Sequence, residues 1–211
     1  MLLNYSTKSN LKSFYTIVYK NVRIRTPERK LASNSTYFTT LMSNVISITG
    51  LSAPGKTTIA KGLVKRLKDK NIKTVLLDGD SLRQCLDVID LYSFDDRKKL
   101  AFVYAKLANM ISKQGTIVIV ATIALFKEIH LWNRENIEGY FEVFLDIPIK
   151  VLKDRDPKGI YKKYDRGEIK HVAGLDLEVS FPTNPHLHIK YDPEKTAGDL
   201  IQEILNKFLE T

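Results

Sequence analysis

A single cysteine, Cys85, stands in a chain of 211 residues. That excludes an intramolecular disulfide framework and any cysteine-rich zinc site, and it accords with a reducing compartment. Histidine is scarce as well, with four in all. His186 and His188 would share one face of a strand, but no third ligand accompanies them, so ordinary packing is expected rather than a metal site. Long apolar runs are missing. The longest, such as Ile117 to Ala121, are strand-length and fall far short of the ~18 residues of a membrane-spanning helix. No membrane partner is expected, and no internal repeat or low-complexity tract interrupts the chain.

Acidic residues are nearly absent from one segment. Residues 1–41 hold seven Lys/Arg against the single acid Glu28, which places +6 of the net +9 there and leaves +3 for residues 42–211. The body is thus only mildly basic, as suits a protein that handles phosphates, and a duplex-binding surface is not indicated. Residues 1–41 also show no sustained apolar period of 3.6 or 2. They read as a basic, poorly ordered N-terminal extension, with three origins open: codons upstream of a true start at Met42, an ordered extension, or an organellar transit peptide. Without the last, the expected location is cytoplasmic. Residues 42–211 read as one domain.

What the body has is alternation. Strands are expected at Val45–Thr49, Thr74–Asp78, Ile117–Thr122, Phe141–Asp146 and His188–Tyr191. Helices are expected at Lys56–Asp69, Arg97–Gln114, Phe126–Gly139 and Ala197–Leu209. The second of these places Leu100, Val103, Tyr104, Leu107 and Ile111 on one face, with Gly115 as its stop. Strands alternating with helices imply an α/β fold, a parallel sheet with helices on both faces.

Gly50-Leu-Ser-Ala-Pro-Gly-Lys-Thr57 satisfies G-x-x-x-x-G-K-[ST] between an expected strand and an expected helix, the context that makes the pattern meaningful. Backbone N–H groups of Gly50, Ser52, Gly55 and Thr58 and the helix N-terminus would face a polyphosphate. Lys56 would reach the β/γ-phosphates of ATP, and the Thr57 hydroxyl would ligate Mg²⁺. Pro54 has no N–H, so one donor is missing, and Ala53 stands where glycine would more easily take an unusual φ. Next comes Asp78-Gly-Asp-Ser-Leu-Arg83 at the carboxyl edge of the second strand, where open α/β sheets bind ligands. Either carboxylate could hold Mg²⁺ through water, and one could orient or deprotonate an attacking hydroxyl. Arg83 and Arg97 would supply forked donors to an anionic acceptor.

With Arg155-Asp-Pro-Lys-Gly-Ile-Tyr-Lys-Lys163 these motifs resemble the adenylyl-sulfate kinases, whose members move the ATP γ-phosphoryl to the ribose 3′-hydroxyl of adenylyl sulfate. The resemblance runs from about Val45 to Ile189 and includes Tyr92-Ser-Phe-Asp-Asp-Arg97, Gly167-Glu-Ile-Lys170, Gly174-Leu-Asp176 and Asn184-Pro185. It implies a three-layer P-loop kinase domain over 42–211, ATP as co-substrate, Mg²⁺ as cofactor and a small-molecule nucleotide as acceptor. It leaves a homodimer as an open alternative to a monomer. Asp80 would be the base or acceptor-orienting carboxylate acting with Lys56, and Asp78 would join Thr57 at the metal. Arg155 would contact ATP. Arg83, Tyr92, Arg97, Ile123 and Lys158 would bind the acceptor. The stretch from Arg155 to Lys170 resembles the family's lid, its lysines lowering charge repulsion and excluding water; Tyr161 within it is left unassigned.

The departures gather around the acceptor. Phe-Ile-Ser-Pro is usual after the third strand, and here it is Thr122-Ile-Ala-Leu125. Leu100 replaces an asparagine, Val172 an aromatic that stacks on the acceptor's adenine, and Asp176-Leu-Glu178 an Asp-Asp-Pro run. A lost aromatic face removes ~1–3 kcal/mol of stacking. The run Ala121 to His130 with Trp132 to Asn136 also resembles kinase-like relatives associated with surface polysaccharide clusters, including cytidine diphosphoramidate kinase. Adenylyl sulfate is the first expectation, and another 5′-modified nucleotide the alternative. A non-catalytic ATP-binding domain and a nucleic-acid binder using residues 1–41 are rivals from other classes. No Ser/His/Asp or Cys/His arrangement and no dinucleotide fingerprint is present. Cys85 and Trp132 are expected to pack.

Overall fold

The computed structural model describes residues 45–89 and 92–211. The readings for residues 1–41 lie outside them. Five strands form one parallel sheet: β1 (Val45–Thr49), β2 (Thr74–Asp78), β3 (Ile117–Ala121), β4 (Tyr140–Asp146) and β5 (Leu187–Lys190), in the order β2-β3-β1-β4-β5. Register is set by Ile46 opposite Ile119 on one side and Phe141 on the other. The central strands β1 and β3 are buried at every position, as Val/Ile-rich strands are when both faces of a sheet are covered.

The covering helices follow from the apolar spacing. Helix α1 (Lys56–Lys68) buries Ile59, Leu63 and Leu67, and the C-terminal helix (Ala197–Leu209) buries Ile201, Ile204, Leu205 and Phe208. Both stripes pack on Ile46, Ile48, Phe141 and Val143. Burying each such side chain contributes about 1.5–3 kcal/mol. The C-terminal helix begins at a reciprocal cap, Thr196 with Asp199. The opposite face is covered by α3 (Phe94–Ser112) and α4 (Lys127–Asn136), with short α2 (Gly79–Cys85) after β2. Two more short helices, α5 (Ile149–Arg155) and α6 (Ile160–Asp165), precede β5, and the C-terminal helix is α7.

Three expectations are corrected by the structure. Helix α3 starts three residues before Arg97 because the Ser93 hydroxyl accepts the Asp96 N–H and caps it, and it ends at Ser112, with Gly115 (φ +75°) turning the chain into β3. Its buried face runs through Leu100, Ala101, Tyr104, Ala105 and Ala108; the three alanines make it the packed face and leave Val103 turned outward, 44% exposed. Cys85 is exposed at the end of α2 rather than packed, whereas Trp132 packs edge-on to Phe102, 6.3 Å between ring centroids, as expected. His186 and His188 do not converge: Nδ1 of His186 accepts the Glu142 N–H, and His188 pairs with Asp146.

One buried charge in this frame stands apart from the cleft. Glu142 on β4 is fully buried and receives His130 Nδ1 at 2.8 Å, the Arg134 guanidinium and the Tyr140 hydroxyl at 3.3 Å. Burial alone would raise its carboxyl, but hydrogen bonds from His130 and Arg134 outweigh that and hold it below the usual carboxylate range. The folded state therefore favours the ionised form more than the unfolded chain does. Its stabilisation is present above the ordinary glutamate range and is lost as pH falls through the lowered value. Glu142→Gln is expected to cost about 3 kcal/mol, because the Arg134 guanidinium loses its counter-charge inside the protein. For a domain of this size that is a fall of roughly 6–12 °C in Tm at neutral pH, and the gap to wild type should narrow in acid. A loss under about 1 kcal/mol by denaturant unfolding would show that Arg134 recovers its solvation.

Candidate active site

At the carboxyl edge of the sheet the loops after β1, β2 and β3 open onto a cavity of about 830 Å³, where open α/β sheets place their ligands. Its floor is the turn from β1 into α1. Gly50 takes φ +151° there, and a Cβ on it would lie 2.7 Å from the Leu145 carbonyl, so only glycine lets the loop pass over β4. Ala53 takes φ +63°, the left-handed conformation its side chain disfavours, and Gly55 takes +95°.

Lys56 is buried and its Nζ donates to the carbonyls of Gly50 at 2.9 Å and Leu51 at 2.6 Å. Burial pulls its ammonium down to about 7; the like charge of Lys158 adds to this, and Asp80 and Asp78 oppose it. A lysine held in this way has a strong electrostatic demand for an anion. Beside it the Thr57 hydroxyl donates to Asp78 Oδ2 at 2.7 Å. The other oxygen of Asp78 accepts the N–H groups of Asp80 and Ser81 and caps α2. One carboxylate thus fixes both the hydroxyl and the helix that carries Asp80. Hydroxyl and carboxylate oxygens are hard donors that fit Mg²⁺. Among the described residues no three His, Cys, Asp or Glu side chains gather into a metal cluster, so most of such an ion's ligands would be phosphate oxygens and water.

The far wall belongs to Arg83, Tyr92 and Arg97. Both guanidiniums lie against the Tyr92 ring, Arg83 at 4.6 Å and Arg97 at 5.2 Å from its centroid. Arg97 also donates to the Tyr92 carbonyl at 3.0 Å and to the His171 carbonyl at 2.9 Å. The 171–176 loop is held from its other end by Asp176, which accepts the N–H groups of His171 and Val172 at 2.8 and 2.7 Å. Val172 is therefore a fixed aliphatic part of the wall, together with Leu100 and Ile123.

From the lid segment, Lys158, Lys163 and Lys170 line the cavity, and Lys158 forms an ion pair with Asp80. Arg155 does not line it; its guanidinium stacks on Tyr191, 5.4 Å from the ring centroid. Gly50 likewise lies beneath the cavity rather than along it, whereas Ser52, Gly55, Thr57, Thr58, Asp78 and Asp80 line it. Two contributors escaped the sequence reading. Tyr104 lines the cavity although its helical period marks it as core, and Tyr161, buried at 1% exposure in α6, donates its hydroxyl to the Ser52 carbonyl at 3.1 Å. Only the position of Tyr161 inside a resemblance to a known lid could have drawn attention to it.

The family model described as adenylylsulphate kinase matches residues 42–190. The chain is 39% identical over 140 residues to the cytidine diphosphoramidate kinase of Campylobacter jejuni subsp. jejuni serotype O:2, an alignment covering 65% of this chain and 81% of that protein. It is also 39% identical over 169 residues to the adenylyl-sulfate kinase of Pseudomonas aeruginosa, covering 79% and 85%. The fold superposes on the Mycobacterium tuberculosis APS kinase CysC, solved with AMPPNP and APS, with a TM-score of 0.74 at 32% identity, covering 81% of this chain and 99% of that one.

Proposed function

Because the chain belongs to the adenylyl-sulfate kinase family, and so is an ATP-dependent phosphotransferase with a hydroxyl acceptor, we propose that it phosphorylates the ribose 3′-hydroxyl of a nucleotide with an anionic 5′ group, adenylyl sulfate in the first place. One observation carries this reading: a single cleft holds a phosphate loop on one side and a pair of arginines around an aromatic ring on the other, with Asp80 paired to Lys158 within it. A domain that only bound ATP would need no second anion-binding wall.

Each residue then has a defined task. The loop N–H groups and Lys56 hold the ATP phosphates. Thr57 and Asp78 would hold Mg²⁺, which when bound supplies charge neutralisation to the phosphate oxygens. Arg83 and Arg97 bind the 5′ anion with their forked donors, and Tyr92 gives the acceptor base a stacking face. Asp80 accepts the proton of the attacking hydroxyl. Lys158, Lys163 and Lys170 close the cleft with positive charge and exclude the water that would otherwise take the phosphoryl. Arg155, engaged with Tyr191 outside the cleft, is given no task in this reading.

A second reading has its own support. Val172, Leu100 and Ile123 give the cleft an aliphatic lining beside Tyr92, which weakens the case for a purine held between two aromatic faces, and a cytidine diphosphoramidate kinase is among the relatives. Both readings are tested by offering the full chain Mg·ATP with adenylyl sulfate and cytidine diphosphoramidate in parallel and locating the new phosphate on each product. Preferential turnover of adenylyl sulfate supports the first reading and a role in sulfate activation; preference for the cytidine compound replaces it with the second. If adenylyl sulfate is the acceptor, Val172→Phe is expected to raise its kcat/KM about tenfold by restoring a stacking face. An unchanged or lower value would show that the base does not approach Val172.

A further inference from the structure

The phosphate loop is built against its own backbone preference at one point, and a residue of α6 holds it there. Ala53 has φ +63° and is not a glycine, and the next residue, Pro54, has no N–H to offer a phosphate. The Ala53 N–H is therefore one of few donors left in the middle of the loop. Its direction is set by the Ser52–Ala53 peptide plane. In a trans peptide the carbonyl and the N–H point opposite ways, and no peptide of the described chain is cis. The Ser52 carbonyl accepts the Tyr161 hydroxyl at 3.1 Å on the buried side, so the Ala53 N–H points away from it, toward the cleft that Ala53 lines.

Rotation of that peptide by half a turn would point the N–H inward and carry Ala53 from φ +63° to the ordinary negative region, which alanine prefers. Local preference thus favours the wrong orientation, and the tyrosine bond opposes it. Tyr161 is well placed to do so. It is 1% exposed, packed among Leu51, Phe144, Leu152 and Val172, and burial pushes its phenol up to about 12, so it remains a donor at neutral pH. Asp156 accepts the Lys162 N–H at 3.0 Å and Lys153 pairs with Asp165 at 2.7 Å, which fixes α6 on its neighbours.

We infer that Tyr161 is a positioning residue for ATP: through Ser52 it holds the Ala53 N–H in its phosphate-binding orientation, so that the lid segment sets the shape of the phosphate loop. The inference rests on the reading that this loop holds the ATP phosphates. Because Tyr161 is buried and does not line the cleft, removing its hydroxyl should act through the loop, on ATP binding alone.

The experiment is a cycle on the full chain, reading KM for Mg·ATP, Kd for a non-hydrolysable ATP analogue, KM for the acceptor and Tm. Tyr161→Phe is expected to weaken ATP and its analogue about fivefold, the usual worth of one hydrogen bond, with acceptor KM unchanged and Tm within a few degrees of wild type. Adding Ala53→Gly to Tyr161→Phe is expected to recover most of the loss, because glycine has no preference for the flipped peptide; Ala53→Gly alone is the reference arm. A merely structural tyrosine would not be rescued at residue 53. Unchanged ATP affinity in Tyr161→Phe, or no recovery in the double variant, overturns the inference. Lys56→Ala separates this from failure of the underlying reading. If that variant binds the analogue as tightly as wild type, the loop is not the ATP site and the inference falls with it. If only Lys56→Ala loses affinity, the loop is the site and the inference alone falls.

Discussion

Asp80→Asn is expected to lower kcat by about 10²–10⁴-fold while leaving KM for Mg·ATP within about threefold of wild type. The carboxylate lines the cleft at the first turn of α2, where Asp78 caps the helix and fixes its direction. Asparagine keeps the size and the helix start but cannot take a proton from a hydroxyl. The ion pair with Lys158 joins two side chains that are each more than half exposed, so its contribution to stability is small and its loss should leave Tm nearly unchanged. The split between kcat and KM decides the assignment. A variant that turns over normally but binds ATP poorly would move Asp80 from the hydroxyl to the nucleotide. One that retains both would remove it from the reaction.

Lys56→Ala carries the other large effect. Phosphoryl transfer is expected to fall by about 10²–10³-fold, the usual consequence of deleting one charge aimed at the developing phosphate. The expected effect on stability has the opposite sign. Lys56 is buried and held by two loop carbonyls, with its ammonium drawn down to about 7, so the folded protein bears a desolvated cation that alanine removes. Tm should stay level or rise. Near-normal turnover would sink the phosphate-loop assignment, whereas lost turnover together with a lower Tm would point to a structural lysine.

The five strands and the sheet class are legible from the sequence because the strands are short stretches rich in large apolar residues, and the central β1 and β3, buried at every position, are mostly Val and Ile. The ATP half of the cleft is equally legible, since Gly50 to Thr57 is contiguous. The acceptor wall is not. Arg83, the Tyr92–Arg97 run and Val172 come from three separate stretches, and a carbonyl at His171 and a carboxylate at Asp176 bring the last two together. Helix α6 hides in a run of lysines because one buried tyrosine makes no period. Val103 was placed on the wrong side because three alanines on α3 carry the packing, and alanine weighs little in a count of large apolar residues. Arg155 follows a motif that specifies its neighbours along the chain, not the direction of its guanidinium.

Cys85, the chain's one thiol, sits exposed on the same short helix that presents Asp80 and Arg83 to the cleft. A maleimide dye would therefore attach to the unmodified protein at a single site, two residues from Arg83. Its emission could be followed in a stopped-flow instrument as the second substrate arrives, with no sequence change needed to install the reporter.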